Sequence, residues 1–263
     1  MVRRRMKNIN KLSNMESNKN TLPVQNAADI SGYTKIYTIS QVIGIVIILA
    51  MYYWLEFYRG GFGFGAKVIF NWHPLLMTIG FIFFFANSIL HYRTFRNNKK
   101  STLKNQHAII HGVIIILVLL AAWAAIASHI YASPPIPNFY SLHSWIGIIT
   151  TLMFLCQFIG GFVSFLYPGI SVQYRESLMP YHVYFGVLNF ALAIGTSVLG
   201  LGEKVIFALD KEYKHLPAEA FVVNILGIVI AAYGAIVIYL VTKSQYKRIP
   251  NAESGVLLTG ALE

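Results

Sequence analysis

Six long apolar runs, separated by short polar connectors, dominate the chain. They fall at about 36–57, 68–92, 106–128, 140–166, 180–201 and 220–242. Each is near the ~20 residues that a helix needs to cross a bilayer. The pattern predicts an all-α polytopic membrane protein, with six transmembrane helices in one compact bundle. Residues 1–35 read as a disordered cytosolic tail, 36–242 as the six-helix membrane domain and 243–263 as a cytosolic C-terminal tail. The polar start holds no apolar core for a cleavable signal peptide.

Composition sharpens this picture. Of 263 residues, 56% are hydrophobic and only 12% are charged, which speaks against a soluble domain with a large core. The net charge of +11 suggests no nucleic-acid partner, because the basic residues crowd into loops and tails. With the N-terminus in the cytosol, 16 of the 21 Lys and Arg lie on the cytosolic side. The positive-inside bias therefore predicts that both termini are cytosolic. Cys156 is the single cysteine, so structural disulfides, thiolate metal sites and a CxxCH haem attachment are excluded.

The connectors differ in character. RGGFGFGAK (59–67) predicts a glycine-rich outer loop, and SPPIP (133–137) a stiff outer turn. The stretch 202–219 mixes both signs of charge and predicts a solvated outer cap. Asn87, Gln157 and Asn189 are polar residues in apolar runs, open to interhelical hydrogen bonds or cofactor contacts. Gly160, Gly161, Gly195 and Gly200 predict close helix approach. No internal repeat stands out, although the second to fifth runs each carry histidine.

Those histidines carry the candidate chemistry. An imidazole inside a spanning helix is costly without a partner or a task. His73 and His143 lie near the starts of helices running inward, and His107 and His182 near the starts of helices running outward. Two pairs of imidazoles at two depths is the arrangement that two bis-histidine haems require, each iron taking one nitrogen from each of two facing helices. Ligands one turn inside each face of a ~30 Å hydrocarbon core would place the irons ~20 Å apart. Spacing leaves the inner pair ambiguous. His111 shares a helix face with His107, and His91 lies at the same depth.

Several motifs match one family: FNWHPLLMTIGF (70–81), YR (92–93), KxxHA (104–108), NFYSLHSWIG (138–147) and LMPYHVYFG (178–186). In these the chain resembles the eukaryotic cytochromes b561, ascorbate-dependent transmembrane electron carriers. The resemblance implies two non-covalent haem b groups in the four central helices. His73 with His143 would ligate the outer iron and His107 with His182 the inner one, with Lys104 matching the family lysine three residues before its ligand. Lys100, Lys104 and Arg175 would bind cytosolic ascorbate, and Arg93 a haem propionate. His129, Asn138 and Tyr140 would form the outer site, where a ferric chelate or monodehydroascorbate is reduced. The implied activity is an ascorbate-dependent ferrireductase or monodehydroascorbate reductase.

A rival reading is a haem-free transporter that uses its histidines as a proton or metal relay. It predicts no visible absorbance and dependence on an ion gradient. The sequence ESGVLL (253–258) looks like an acidic di-leucine sorting signal. It favours an endosomal or lysosomal membrane as much as the plasma membrane or a secretory vesicle. Family members often form homodimers; the residues themselves do not bear on this.

Overall fold

The computed structural model describes residues 27–248. The expected N-terminal tail, up to residue 26, and the di-leucine pattern lie outside them. Six helices form the bundle: α1 Ala27–Tyr58, α2 Ile69–Thr94, α3 Lys100–Ile130, α4 Leu142–Leu166, α5 Val172–Leu209 and α6 Ala218–Thr242. There is no strand among the described residues.

The helices outrun the apolar segments that predicted them. α1, α3 and α5 begin in polar sequence, at Ala27, Lys100 and Val172. Hydropathy marks the hydrocarbon-facing part of a helix, and the polar turns that emerge from the bilayer stay helical. The connector before α6 departs most from expectation. α5 continues to Leu209 and a 3₁₀ turn follows at Asp210–His215. Lys211, Lys214 and His215 are solvated as expected, but Glu219 is only 5% exposed. That carboxylate accepts from Trp54 Nε1 at 2.8 Å and pairs with Arg59. A buried acid with two donors is a packed tie between α1 and α6, not part of a solvated cap.

Packing divides the bundle unevenly. α2 packs along α3, α4 along α5, α5 along α6 and α6 along α1, whereas α3 barely meets α4. A loosely packed seam therefore runs between the α2–α3 pair and the α4–α5 pair. Trp54, Phe85, Phe190 and Tyr233 are fully buried, while Ile39, Val42, Val46 and Leu49 expose one face of α1. Lipid tails are as apolar as those side chains, so helix association rests on close packing and interhelical hydrogen bonds. Tyr37 of α1 donates to Asn87 of α2 at 3.2 Å. Asn189 of α5, with its amide oriented to fit, reaches Thr150 O and Phe154 N of α4 at 3.1 and 2.8 Å. These asparagines join helices.

The loop after α1 turns on Gly60 and Gly61, at φ +82° and +76°, a region that side chains disfavour. Asn71 Nδ2 donates to Arg59 O and Gly61 O at 3.0 and 2.7 Å. This fixes the start of α2 two residues ahead of His73. Farther on, α2 widens into π-helical turns at Thr78–Phe84, and α4 ends in another at Phe162–Leu166. Such turns recur at functional sites.

Candidate functional site

At the end of the seam away from the described termini, Pro74 follows His73 in the first turn of the α-helical part of α2. Proline is tolerated there because that N–H has no intrahelical partner. His143 sits in the first turn of α4, which Ser141 and Ser144 close with a reciprocal capping box. Each ring is held by a neighbouring helix. His73 Nδ1 donates to Ala121 O of α3 at 3.1 Å, and His143 Nδ1 to Thr196 O of α5 at 2.9 Å. The two rings face one another with centroids 6.1 Å apart and planes at 86°.

The other end repeats the plan. His107 of α3 donates from Nδ1 to Ser88 O of α2 at 3.0 Å, with Ser88 Oγ also at 3.0 Å. His182 of α5 lies against Gln157 of α4, Nδ1 to Nε2 at 3.1 Å. The ring centroids of His107 and His182 are 6.3 Å apart. So α2 and α3 hold each other's histidines, and α4 and α5 do the same. This repeat is invisible in the sequence because most of the partners are backbone carbonyls.

A carbonyl only accepts, so His73, His143 and His107 carry their proton on Nδ1 and leave Nε2 with a lone pair. His182 differs. With Gln157 donating from Nε2, the ring proton falls on its own Nε2; ligation there needs the amide turned to present Oε1.

The donors thus come in facing pairs. Among the described residues no three His, Cys, Asp or Glu gather to hold a bare ion, which commonly takes four or more ligands. Haem iron asks the protein for only two axial ligands. With Fe–N bonds of ~2 Å and about 1.1 Å from each ligating nitrogen to its ring centroid, two imidazoles on one iron have centroids about 6.2 Å apart. Both pairs meet that spacing.

Glycine lies against a ring in each pair. A Cβ on Gly200 would come within 2.6 Å of His143, and one on Gly161 within 2.9 Å of His182. A cavity of about 170 Å³ beside His182 is lined by Gly160, Gly161, Phe165 and Phe185, among others. The residues present fit haem. Gly160 and Gly195 have nothing within 4 Å of a would-be Cβ, so their expected role in close helix approach fails, while Gly161 and Gly200 make room for the His182 and His143 rings.

The two alternatives for the inner position have contacts of their own. His91 turns to Gln106, Nε2 to Oε1 at 2.9 Å. His111 stacks edge-on against His107, centroids 4.4 Å apart, and packs on Phe85 and Phe154. With Phe81 and Phe190, these rings fill the bundle between the two histidine pairs.

The remaining predicted residues divide by end. Lys104 Nζ donates to Phe165 O of α4 at 2.9 Å, bridging the seam. Lys100 and Arg175 lie close enough for their charges to be felt at Lys104. Arg175 Nε is buried without a hydrogen-bond partner. Arg93 donates from Nη1 to Lys243 O at the end of α6, a helix-end contact that sequence did not foretell. At the opposite end His129 Nδ1 meets Asn138 Oδ1 at 3.0 Å, but Tyr140 leans on Phe207. Sequence reasoning gave Gln157 no definite role and passed over Lys204, which lies one turn beyond Gly200.

Residues 72–208, the span of α2 to α5, match the eukaryotic cytochrome b561 family. Relatives extend the likeness. The chain is 38% identical over 218 residues to the transmembrane ascorbate-dependent reductase CYB561 of Sus scrofa, covering 83% of this chain and 86% of the relative. It is 37% identical to the human protein of that name over the same shares. The lysosomal membrane ascorbate-dependent ferrireductase CYB561A3 of Bos taurus is 37% identical over 212 residues, 78% of this chain and 79% of the relative. With relatives that are ascorbate-dependent reductases, this six-helix membrane bundle is a membrane oxidoreductase of a haem-binding family. The chain belongs to the eukaryotic cytochrome b561 family.

Proposed function

We propose that this protein carries single electrons across a membrane from cytosolic ascorbate to a ferric chelate or monodehydroascorbate on the other side. The observation that carries this reading is the pair of facing imidazoles at each end of the seam, with centroids 6.1 and 6.3 Å apart. His73 and His143 hold the outer haem b, and His107 and His182 the inner one. When bound, these groups supply the one-electron carriers that no side chain here can replace.

The protein's own work is positioning and exclusion. Hydrogen bonds donated from Nδ1 fix the rings of His73, His107 and His143 and raise their basicity toward a metal, while Gln157 holds the ring of His182. The plug of Phe81, Phe85, Phe154, Phe190 and His111 keeps water and ions out of the space between the sites. At the cytosolic end Lys100, Lys104 and Arg175 present cations to ascorbate, a mono-anion at neutral pH. Ascorbate loses one electron, and a proton to solvent, to become monodehydroascorbate. At the outer end His129 and Asn138 flank the approach to His143, and the acceptor there gains one electron. Both termini lie in the cytosol, in line with the basic loops. The lysosomal relative supports an endosomal or lysosomal membrane for this chain.

Sealed vesicles test the reading. Ascorbate trapped on the cytosolic side should reduce an impermeant ferric chelate outside, at a rate proportional to protein. Protein-free vesicles should not. Equal rates in both would overturn it.

A further inference from the structure

Lys204 is a half-buried cation with no ion-pair partner among the described residues. It follows Gly200 by four residues on α5, so the two share a helix face, and Gly200 packs against His143. Its Nζ lies 4.1 Å from the centroid of the Phe70 ring. That ring packs on His73, centroids 5.6 Å apart. Lys204 therefore stands one turn outside the His73–His143 pair, touching a side chain that touches one of them.

No described residue forms an ion pair with it. Among the described residues the only ion pair is Arg59 with Glu219. Glu219, close enough for its charge to be felt at Lys204, is also held by Trp54. An aromatic face attracts an ammonium but leaves its hydrogens without acceptors. A desolvated ammonium at the mouth of an apolar seam calls for an anion with oxygen acceptors.

We infer that Lys204 binds a carboxylate at the outer mouth of the seam. The inference rests on the two-haem reading above. Two sources share this chemistry: a propionate of the haem held by His73 and His143, or a carboxylate of the acceptor, such as citrate around ferric iron. Either makes Lys204 a positioning residue for the outer half of the reaction.

The test uses full-length protein as wild type, Lys204→Met and Lys204→Arg. Three quantities are read: haem per chain, the midpoint potential of each haem, and KM for ferric citrate beside that for an uncharged ferric chelate. If the propionate is the partner, K204M moves the outer potential downward, because losing a nearby cation favours the ferric state. K204R restores it and the inner potential stays. Loss of the outer haem alone, with the inner one retained and ascorbate-reducible, supports the same source. If the acceptor is the partner, potentials hold and KM for ferric citrate rises about tenfold, while that for the uncharged chelate does not. A K204M protein with both haems, unmoved potentials and unmoved KM would overturn the inference alone. Wild-type protein without haem would instead overturn the reading on which it rests.

Discussion

Gly200 packs directly against His143: a methyl group there would sit 2.6 Å from the imidazole Cε1. Alanine is the better helix former by about 1 kcal/mol, so the substitution strengthens α5 while pushing the ring aside. Gly200→Ala should lower haem content from two toward one per chain, with the inner haem still reduced by ascorbate. Gly161→Ala should cost the inner haem instead. Gly195→Ala, where nothing lies within 4 Å, should keep both. Pyridine haemochrome assay of the three purified variants distinguishes these outcomes.

Gln157 holds His182 through a side chain, where the other three rings meet a backbone carbonyl. Removing a partner behind a metal ligand typically weakens the metal site about 10–100-fold. Gln157→Leu should therefore shed the inner haem on gel filtration and keep the outer one. Gln157→Glu should retain both and lower the inner midpoint potential, since a carboxylate facing Nδ1–H makes the ring more basic. Spectroelectrochemistry resolves the two haems.

The cytosolic cations should act on ascorbate binding. Lys104→Met and Arg175→Met should each raise KM for ascorbate about tenfold, the scale of one charge-assisted hydrogen bond. The maximal rate and the response to an uncharged quinol should hold. Wild-type KM should rise with ionic strength, and the variants' less steeply. Lys99→Gln, an exposed side chain ahead of α3, should change nothing.

Glu219 is held by Trp54 and Arg59 between α1 and α6. Arg59→Met strands a buried carboxylate, and breaking such a pair costs about 3–5 kcal/mol. A marked fall in melting temperature should follow in detergent. The double variant Arg59→Met, Glu219→Gln should recover much of it.

The architecture was legible because spanning helices write themselves as long apolar blocks, and the two histidine pairs because four histidines interrupt those blocks at matched depths, although depth alone left His91 and His111 beside the inner pair. Two kinds of feature stayed hidden. Partners such as Ala121 O, Thr196 O and Ser88 O are main-chain atoms, which every residue carries and no residue type announces. Charged residues near a helix end were read as solvated by their sequence neighbours, yet burial is decided by the facing helix. Glu219 and Lys204 are the instances. Asn87 and Asn189 were visible as polar residues in apolar runs, but only their partners show that they join helices.

The most direct measurement is the visible spectrum of purified full-length protein, oxidised and then with ascorbate, with haem quantified per chain. The account predicts two b-type haems per chain, low-spin as bis-histidine ligation requires, both reduced by ascorbate. His143→Ala and His107→Ala should each remove one. A chain that takes up no haem when supplied with it, or that keeps both haems without His107 or His143, would contradict the account.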